Sequence, residues 1–182
     1  MFEGGATIDM TQGLTFRQLF GGSEALQGSP GDDVMLGHSG DGGELHGLAG
    51  NDTITGGSGD EVISGGEGNN TIEGGTGNDT MSSGTGDDTY RFALSFGTDT
   101  ITDTGGSNTL EILANIDPAH IAFRRLVGTD DLILTQHTSG GGFAAQATIA
   151  DNYAGGGLGL FETLIFEGGA TVDMHQGLAF RQ

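Results

Sequence analysis

A nine-residue repeat runs through the first half of the chain, and five copies follow one another without a gap from Gly47 to Arg91. Glycine stands at the first and fourth places of nearly every copy, and Asp, Asn or Glu at the sixth. The copies are GSPGDDVML (28–36), GLAGNDTIT (47–55), GGSGDEVIS (56–64), GGEGNNTIE (65–73), GGTGNDTMS (74–82) and SGTGDDTYR (83–91). So short a period is typical of coiled repeat proteins, in which each copy contacts only its neighbours.

Each copy predicts a turn followed by a short strand. The first six residues are rich in glycine, which reaches conformations that a Cβ disfavours. The last three form a strand whose large eighth-place side chain points inward, and two copies complete a coil of about eighteen residues. The eighth-place residues are Met35, Ile54, Ile63, Ile72, Met81 and Tyr90. We therefore predict an all-β fold: a right-handed parallel β-roll, or β-helix-like solenoid, continued or capped by a β-rich flank.

The copies that precede the regular block are less regular. The stretch Gly37–His46 has ten residues, lacks an acid at the sixth place, and predicts a bulge near Gly42 and Gly43. Upstream, LFGGSEALQ (19–27) is interpreted as a worn copy with Glu24 and Leu26 in register.

The charge balance restricts the partners that the chain can bind. There are 25 acidic residues against 5 basic ones, and the net charge is −20. Nucleic acids and anionic membranes both favour clustered basic side chains, so we expect neither as a partner. Membrane insertion is not expected, because no apolar run approaches the ~20 residues that span a bilayer. With no cysteine for disulfides or thiolate zinc sites, divalent cations are the expected stabilising partners.

Calcium is the cation that the turns favour, since it takes six to eight oxygens from carboxylates and backbone carbonyls. Sixth-place residues about eighteen apart become neighbours on one side of the coil. One side holds Asp33, Asp52, Asn70 and Asp88, and the other holds Glu61, Asp79 and Asp99. Carbonyl oxygens are expected from Gly47, Gly50, Gly56, Gly57, Gly59, Gly65, Gly66, Gly68, Gly74, Gly75, Gly77 and Gly86.

An alternative is that these Asp and Asn side chains only make turn hydrogen bonds. One copy alone would favour that alternative, whereas five consecutive copies favour calcium. The fifth-place residues are assigned to solvation: Asp32, Asn51, Asp60, Asn69, Asn78 and Asp87.

The motif GGxGxD followed by x-apolar-x resembles the RTX (repeat-in-toxin), or haemolysin-type, calcium-binding repeat over residues 28–91. The resemblance implies that sixth-place residues two copies apart share one ion. Asp33 with Asp52 is then a full pair, whereas pairs that contain Asn70 or Glu61 are weaker. The later segments GTDTITD, NTLEI, DLILT, IADNY and FETLIFEGG resemble the haemolysin-type flank over about 88–174. The family also implies type I secretion and folding outside the cell at millimolar calcium.

A longer repeat indicates a tandem array. FEGGATIDMTQGLTFRQ (2–18) recurs as FEGGATVDMHQGLAFRQ (166–182), with fourteen of seventeen positions identical and a period of 164 residues. We therefore expect adjacent units of the same protein as partners. The predicted divisions are 1–18, the tail end of a preceding unit; 19–91, the β-roll; 92–174, the β-rich flank; and 175–182, the start of the next unit.

The sequence carries no catalytic motif of the HExxH or GxSxG type and no cysteine nucleophile, so we expect no enzymatic activity. We predict a calcium-binding module of a secreted protein that folds on binding calcium outside the cell. Two alternatives stay open: a calcium-stiffened spacer of a large adhesin or matrix protein, and an accessory module of an extracellular hydrolase. No receptor or carbohydrate ligand is indicated.

Overall fold

The computed structural model describes residues 15–17, 25–37, 40, 42–113, 116–126, 129, 131–150, 161–166 and 169–173. These residues form strands joined by turns, with one 3-10 helix at Pro118–His120. The strands are β1 (Thr15–Arg17), β2 (Ala25–Gln27), β3 (Val34–Leu36), β4 (Glu44–Ala49), β5 (Thr53–Thr55), β6 (Val62–Glu67), β7 (Thr71–Glu73), β8 (Thr80–Ser83), β9 (Thr89–Phe92), β10 (Thr98–Asp103), β11 (Asn108–Ile112), β12 (Ile121–Arg125), β13 (Leu132–His137), β14 (Phe143–Ala150), β15 (Phe161–Phe166) and β16 (Ala170–Asp173). The all-β prediction is confirmed.

The strands form two sheets of eight strands each. Sheet A has the order β1-β3-β5-β7-β9-β11-β15-β16, and sheet B has the order β12-β13-β14-β10-β8-β6-β4-β2. Consecutive strands from β1 to β11 therefore lie in opposite sheets, and within each sheet they pair in parallel. The chain winds from one sheet to the other, which confirms the predicted parallel β-roll. No helix among the described residues is long and apolar enough to cross a membrane.

Within the nine-residue repeats, the core is a ladder built from one apolar side chain per strand. All six eighth-place residues are buried, at 1% exposure or less, and in sheet A Ile54 pairs with Ile72 and Ile72 with Tyr90. Three repeat strands have three residues each, as predicted, whereas β4 and β6 extend to six. Leu45 of the irregular copy is buried and pairs with Leu26, so the worn upstream copy is in register there. Glu24 lies outside the described residues.

Glycine is required where neighbouring turns approach closely. The fourth-place Gly77 has a φ of +132°, and a Cβ added there would collide with the carbonyl oxygen of Gly59 in the preceding coil. Gly68 and Gly86 stand in the same relation to glycines one coil back. L-residues with a Cβ are disfavoured at such positive φ, so the turns stack only because these places hold glycine.

The β-rich flank both continues the roll and caps it. Strands β10 and β11 extend the two sheets, and β14 and β15 then add to them in parallel. The later partners are antiparallel: β12 pairs with β13, β13 with β14, and β16 with β15. Both sheets run without interruption past residue 91, and β1, within the segment 1–18, pairs with β3.

Aromatic side chains replace Ile and Met where the roll meets the flank. The rings of Tyr90 and Phe161 are 5.4 Å apart, and those of Phe92 and Phe96 are 4.8 Å apart, both at tilted angles. The buried Tyr90 hydroxyl donates to Asp103 at 2.8 Å, so its polar group has a partner in the core. The pKa of Tyr90 is raised, chiefly by burial.

The ladder predicts where truncation destabilises the roll. Replacing Ile72, which is fully buried, with alanine should lower the free energy of unfolding by about 2–5 kcal/mol, because the thin core leaves a cavity behind. Val62→Ala is the matched control, since Val62 is 46% exposed, and it should cost less than about 1 kcal/mol. Denaturant unfolding in calcium measures both, and equal losses would contradict a ladder core.

Candidate metal sites

The sixth-place side chains form two buried rows between the coils. Row 1 consists of Asp33, Asp52, Asn70, Asp88 and Asn108, and row 2 consists of Glu61, Asp79 and Asp99; every member is at most 3% exposed. The members from Asp33 to Asp88 lie at the end of a turn, immediately before a strand, whereas Asp99 and Asn108 lie at the start of β10 and β11. Because the strands stack in register, residues of every second copy lie one above the other.

Except in Asp33 and Glu61, the first members of the two rows, one oxygen of each row side chain accepts a hydrogen bond from the backbone of the preceding coil. In row 1 the backbone N–H groups of Asp33, Asp52, Asn70 and Asp88 donate to the next member at 2.7–2.9 Å. In row 2 the N–H of Glu61 donates to Asp79 at 2.9 Å, and that of Asp79 donates to Asp99 at 3.0 Å. These hydrogen bonds connect neighbouring coils, whereas the alternative offered by the sequence was hydrogen bonding within one turn.

The second oxygen of the acids is different. Within the described part of the chain, Asp52 Oδ2, Glu61 Oε1, Asp79 Oδ2 and Asp88 Oδ2 are buried without a hydrogen-bond partner. A buried carboxylate oxygen with no partner is strongly disfavoured. In each of these four side chains, one carboxylate oxygen therefore accepts a hydrogen bond from the backbone, and the other has no partner.

In three other row members, the remaining polar atom of the side chain has a hydrogen-bond partner. The Asn70 amide donates to the Gly68 carbonyl at 3.2 Å and to Ser83 Oγ at 3.1 Å, and the Asn108 amide donates to the Gly105 carbonyl at 3.2 Å. Asp33 accepts from the backbone N–H of Ser29 at 2.6 Å and from its hydroxyl at 3.1 Å. Among the acids of the rows, Asp33 therefore has donors for both of its carboxylate oxygens.

First-place glycines leave the space into which these carboxylates point. A Cβ at Gly47 would collide with Asp52 Oδ2 and with the Gly65 carbonyl oxygen, and one at Gly74 would collide with Asp79 Oδ2. At Gly56 a Cβ would meet the Gly74 carbonyl oxygen and lie 2.9 Å from Glu61 Oε2. Each place therefore combines a carboxylate oxygen, a missing side chain and, at Gly47 and Gly56, a carbonyl oxygen from the next coil.

Burial opposes the negative charge of these acids. Desolvation raises the pKa of Glu61 to about 7, with a further contribution from Asp79, and raises that of Asp99 to about 8. The pKa values of Asp52, Asp79 and Asp88 are also raised, again chiefly by desolvation. A cation beside the rows would reverse this effect, because it favours the deprotonated form.

Arg91 follows Asp88 by three residues, but its side chain is engaged elsewhere. Arg91 pairs with Glu111 at 2.9 Å and lies 3.9 Å from Glu73, and all three project from sheet A rather than toward the rows. No three His, Asp or Glu side chains converge on one point in the described ranges. A metal ion held here would therefore need backbone carbonyls or water besides the acids, and the glycine turns offer carbonyls.

The fifth-place residues, which the sequence assigned to solvation, also have a structural role. They are exposed, but they form a second, outer ladder of hydrogen bonds. The N–H groups of Asn51, Asn69 and Asp87 donate to Asp32, Asn51 and Asn69 at 2.6–2.9 Å, and Asn78 donates to Asp60 at 2.8 Å. Outward direction alone could not reveal this role, which depends on coils stacked in register.

Asn108 was missed because its surroundings depart from the motif. It follows Gly105, Gly106 and Ser107, with Thr109 and Leu110 after it, and thus keeps the order of the fourth to eighth places. The twenty-residue step from Asp88, rather than eighteen, hides the periodicity. Asp99, which the sequence did single out, makes the same twenty-residue step from Asp79.

Two shallow grooves lie on the flank, away from both rows. One, of about 380 Å³, is lined by residues that include Asp117, His120 and His137, and the other, of about 370 Å³, by residues that include Phe143 and Arg124. His120 Nδ1 lies 3.5 Å from Asp117. Neither groove is lined by a member of the rows.

Part of the chain is similar to a known family of calcium-binding repeats. The family described as RTX calcium-binding nonapeptide repeat (4 copies) matches residues 20–41, 44–72 and 55–90. No curated protein sequence matches the chain. Among solved structures, the chain is similar to the AlgE6R3 subunit of the Azotobacter vinelandii mannuronan C5-epimerase, with a TM-score of 0.48 and 21% identity over 99% of this chain and 94% of that one. The match to the RTX calcium-binding nonapeptide repeat covers the row members from Asp33 to Asp88, whereas Asp99 and Asn108 lie beyond the matched residues.

Proposed function

We propose that this chain binds calcium between adjacent coils and that the bound ions hold the roll together. The residues assigned to the ions are Asp52, Glu61, Asp79 and Asp88, with carbonyl oxygens of the turn glycines completing the ligand sets. The observation that carries the proposal is the set of four buried carboxylate oxygens without partners. Carboxylate and carbonyl oxygens are the ligands that calcium prefers.

Asp33, Asn70, Asp99 and Asn108 have secondary roles in this proposal. Asn70 and Asn108 supply a neutral oxygen, while their amide groups satisfy neighbouring carbonyls. Asp33 is already hydrogen-bonded to Ser29, so it contributes less than a full carboxylate pair with Asp52 would require. Asp99 closes row 2 below Asp79.

Ion binding and folding are one event in this proposal. A net charge of −20 and 38 glycines oppose a compact state, the first by repulsion and the second by chain entropy. The rows exist only when the coils are stacked, so binding energy is gained only in the folded form. An extracellular site of this kind has a dissociation constant of about 10⁻⁴–10⁻³ M, and we propose that the module is secreted and folds where calcium is plentiful.

A spacer role is the second candidate, and the 164-residue period supports it. Fourteen identical positions out of seventeen indicate a tandem array of such units within one protein. Calcium-bound rolls joined in series would form a stiffened rod that holds other domains apart. Calcium binding is common to both candidates, and the number of units in the complete protein distinguishes them.

Calcium titration followed by circular dichroism tests the proposal with a matched pair of variants. The native chain should gain its β signal on addition of calcium and lose it in excess chelator. Asp79→Asn keeps the oxygen that accepts from Glu61 but removes the unsatisfied one, so the calcium midpoint should rise by at least about tenfold, equivalent to 1.4 kcal/mol. Asp60→Asn removes the same charge from an exposed fifth-place residue and should change the midpoint less than twofold. A β signal that persists in chelator at pH 8, or equal effects of the two variants, would refute the proposal.

The raised pKa values predict that protons partly replace calcium. In chelator, the folded form holds protons on Glu61 and Asp99 up to about pH 7 and about pH 8, whereas the unfolded chain loses them near pH 4. Stability without calcium should therefore be greatest near pH 4 and fall as the pH rises to about 8. In saturating calcium this decline should disappear, because the ion favours the deprotonated acids.

Circular dichroism at pH 5 and pH 8 in calcium-free buffer measures this effect. The β signal should be larger at pH 5. The double variant Glu61→Gln with Asp99→Asn should show a weaker dependence on pH, since it removes the two titrating groups but retains most of the acidic charge. A calcium-free signal that is constant, or that grows toward pH 8, would contradict the prediction.

A further inference from the structure

The seventeen-residue segment that occurs twice in the chain supplies both terminal strands of one sheet. Its first copy, 2–18, contains β1, and its second copy, 166–182, contains β16. These two strands lie at opposite ends of sheet A. The repeated segment therefore contributes strands to the two ends of sheet A and none to its middle.

The 164-residue period brings the two strands together in an array. Thr15–Arg17 of the first copy is equivalent to 179–181 of the second, five residues after β16 ends at Asp173. In tandem units, each such segment thus holds the last strand of one sheet A and the sequence of the first strand of the next. Five extended residues span at most about 20 Å, or about four strand spacings of about 4.8 Å. No room is left for a long linker.

The strand directions suit a direct connection. From β1 to β15 the strands of sheet A run parallel to one another, whereas β16 runs opposite to β15. The first strand of a following unit with the same coiling direction is therefore antiparallel to β16. Hairpin loops of about two to five residues join such neighbours, and the intervening stretch 174–178 has five residues.

We propose that β16 of each unit pairs with β1 of the next unit in a β-hairpin, so that the A sheets of successive units form one continuous sheet. Each of these strands has one neighbour in sheet A among the described residues, β3 for β1 and β15 for β16, and so is an edge strand of the described sheet. Open edges readily pair with other strands. The occupant of each edge is the adjacent unit of the same chain, joined to it within hairpin distance.

This arrangement fixes the length that each unit adds. Eight strands per unit at about 4.8 Å each extend the array by about 38 Å. The units then form a rigid rod and not a string of independently moving bodies. The inference goes beyond calcium binding, since it needs a folded roll but does not depend on which ion stabilises it.

Small-angle X-ray scattering of a two-unit chain tests the proposal. Residues 1–182 followed directly by a second copy of 19–182 place the natural segment 166–182 between two units. In calcium, the maximum dimension should exceed that of the 182-residue chain by about 40 Å, with a profile that one rigid body fits. A profile that requires an ensemble of variable separations between the units would overturn the proposal.

Two insertion variants separate docking from mere linkage. Eight Gly/Ser residues inserted between Gln176 and Gly177 at the junction should abolish the rigid profile and lower the denaturant midpoint to that of the 182-residue chain. The same insertion between Gly140 and Gly141, in the exposed loop between β13 and β14, should leave the rod intact. If the junction insertion changes neither quantity, the proposed hairpin is excluded.

The outcome is distinguishable from failure of the calcium proposal. All measurements are made in a buffer in which circular dichroism shows the 182-residue chain to be folded. If folding proved independent of calcium, the calcium proposal would fail while the scattering test remained valid. If the chain folded with calcium but the units moved independently, only the continuous sheet would be refuted.

Discussion

Carboxylates buried between stacked coils are the constraint around which this structure is arranged. Each acid in the rows uses one oxygen to accept from the neighbouring backbone, and in four of them the other oxygen lacks a partner. Water is excluded there, and the nearby side-chain cation, Arg91, is engaged on the outer face of sheet A. The stacking that produces the parallel roll therefore also buries carboxylate oxygens that no positive charge or hydrogen-bond donor balances. In the proposed function, calcium coordinates these oxygens without any further change in the fold.

Glycine links the fold to the site, because the same places serve both. The fourth-place glycines allow turns to approach within backbone contact, and the first-place glycines leave the space that the carboxylates occupy. A side chain at Gly77 would separate the coils, and one at Gly74 would displace Asp79. The site cannot be removed from the roll as a loop could be removed from an enzyme. The candidate site and the architecture of the roll therefore depend on the same stacked turns.

Strand pairing and core packing differ between the middle of the roll and its ends. In the middle, each strand finds its neighbours one coil away, and the thin ladder from Met35 to Tyr90 excludes water. Toward one end, aromatic residues and antiparallel strands replace this pattern and close part of the core. Among the described residues, sheet A nevertheless ends on β1 and β16, which belong to the segment that the chain contains twice. In a tandem protein, the unit that follows is the structure best placed to cover such an edge.

Much of this structure could be predicted from short stretches of the sequence. The nine-residue period specified the coil, the strand positions, the inward eighth-place side chains and the grouping of Asp52, Asp79 and their neighbours into two rows, because each depends only on the spacing within a copy. The run of β-type segments in the flank was also predictable, since their alternation is local. Its pairing pattern was not: whether β14 joins β10 or β12 depends on contacts between residues far apart in the chain.

Tertiary structure alone determined which polar atoms find partners. Asn70 and Asp88 occupy the same place in their repeats, yet one satisfies its side chain through Gly68 and Ser83 and the other retains a buried oxygen without a partner. The role of Asn108 and the outer ladder through Asn51 and Asn69 likewise emerge only when coils lie in register. Periodicity specifies which residues are stacked, because it is a property of one chain segment. Hydrogen-bond satisfaction is a property of two or three segments at once, and so it required the folded roll.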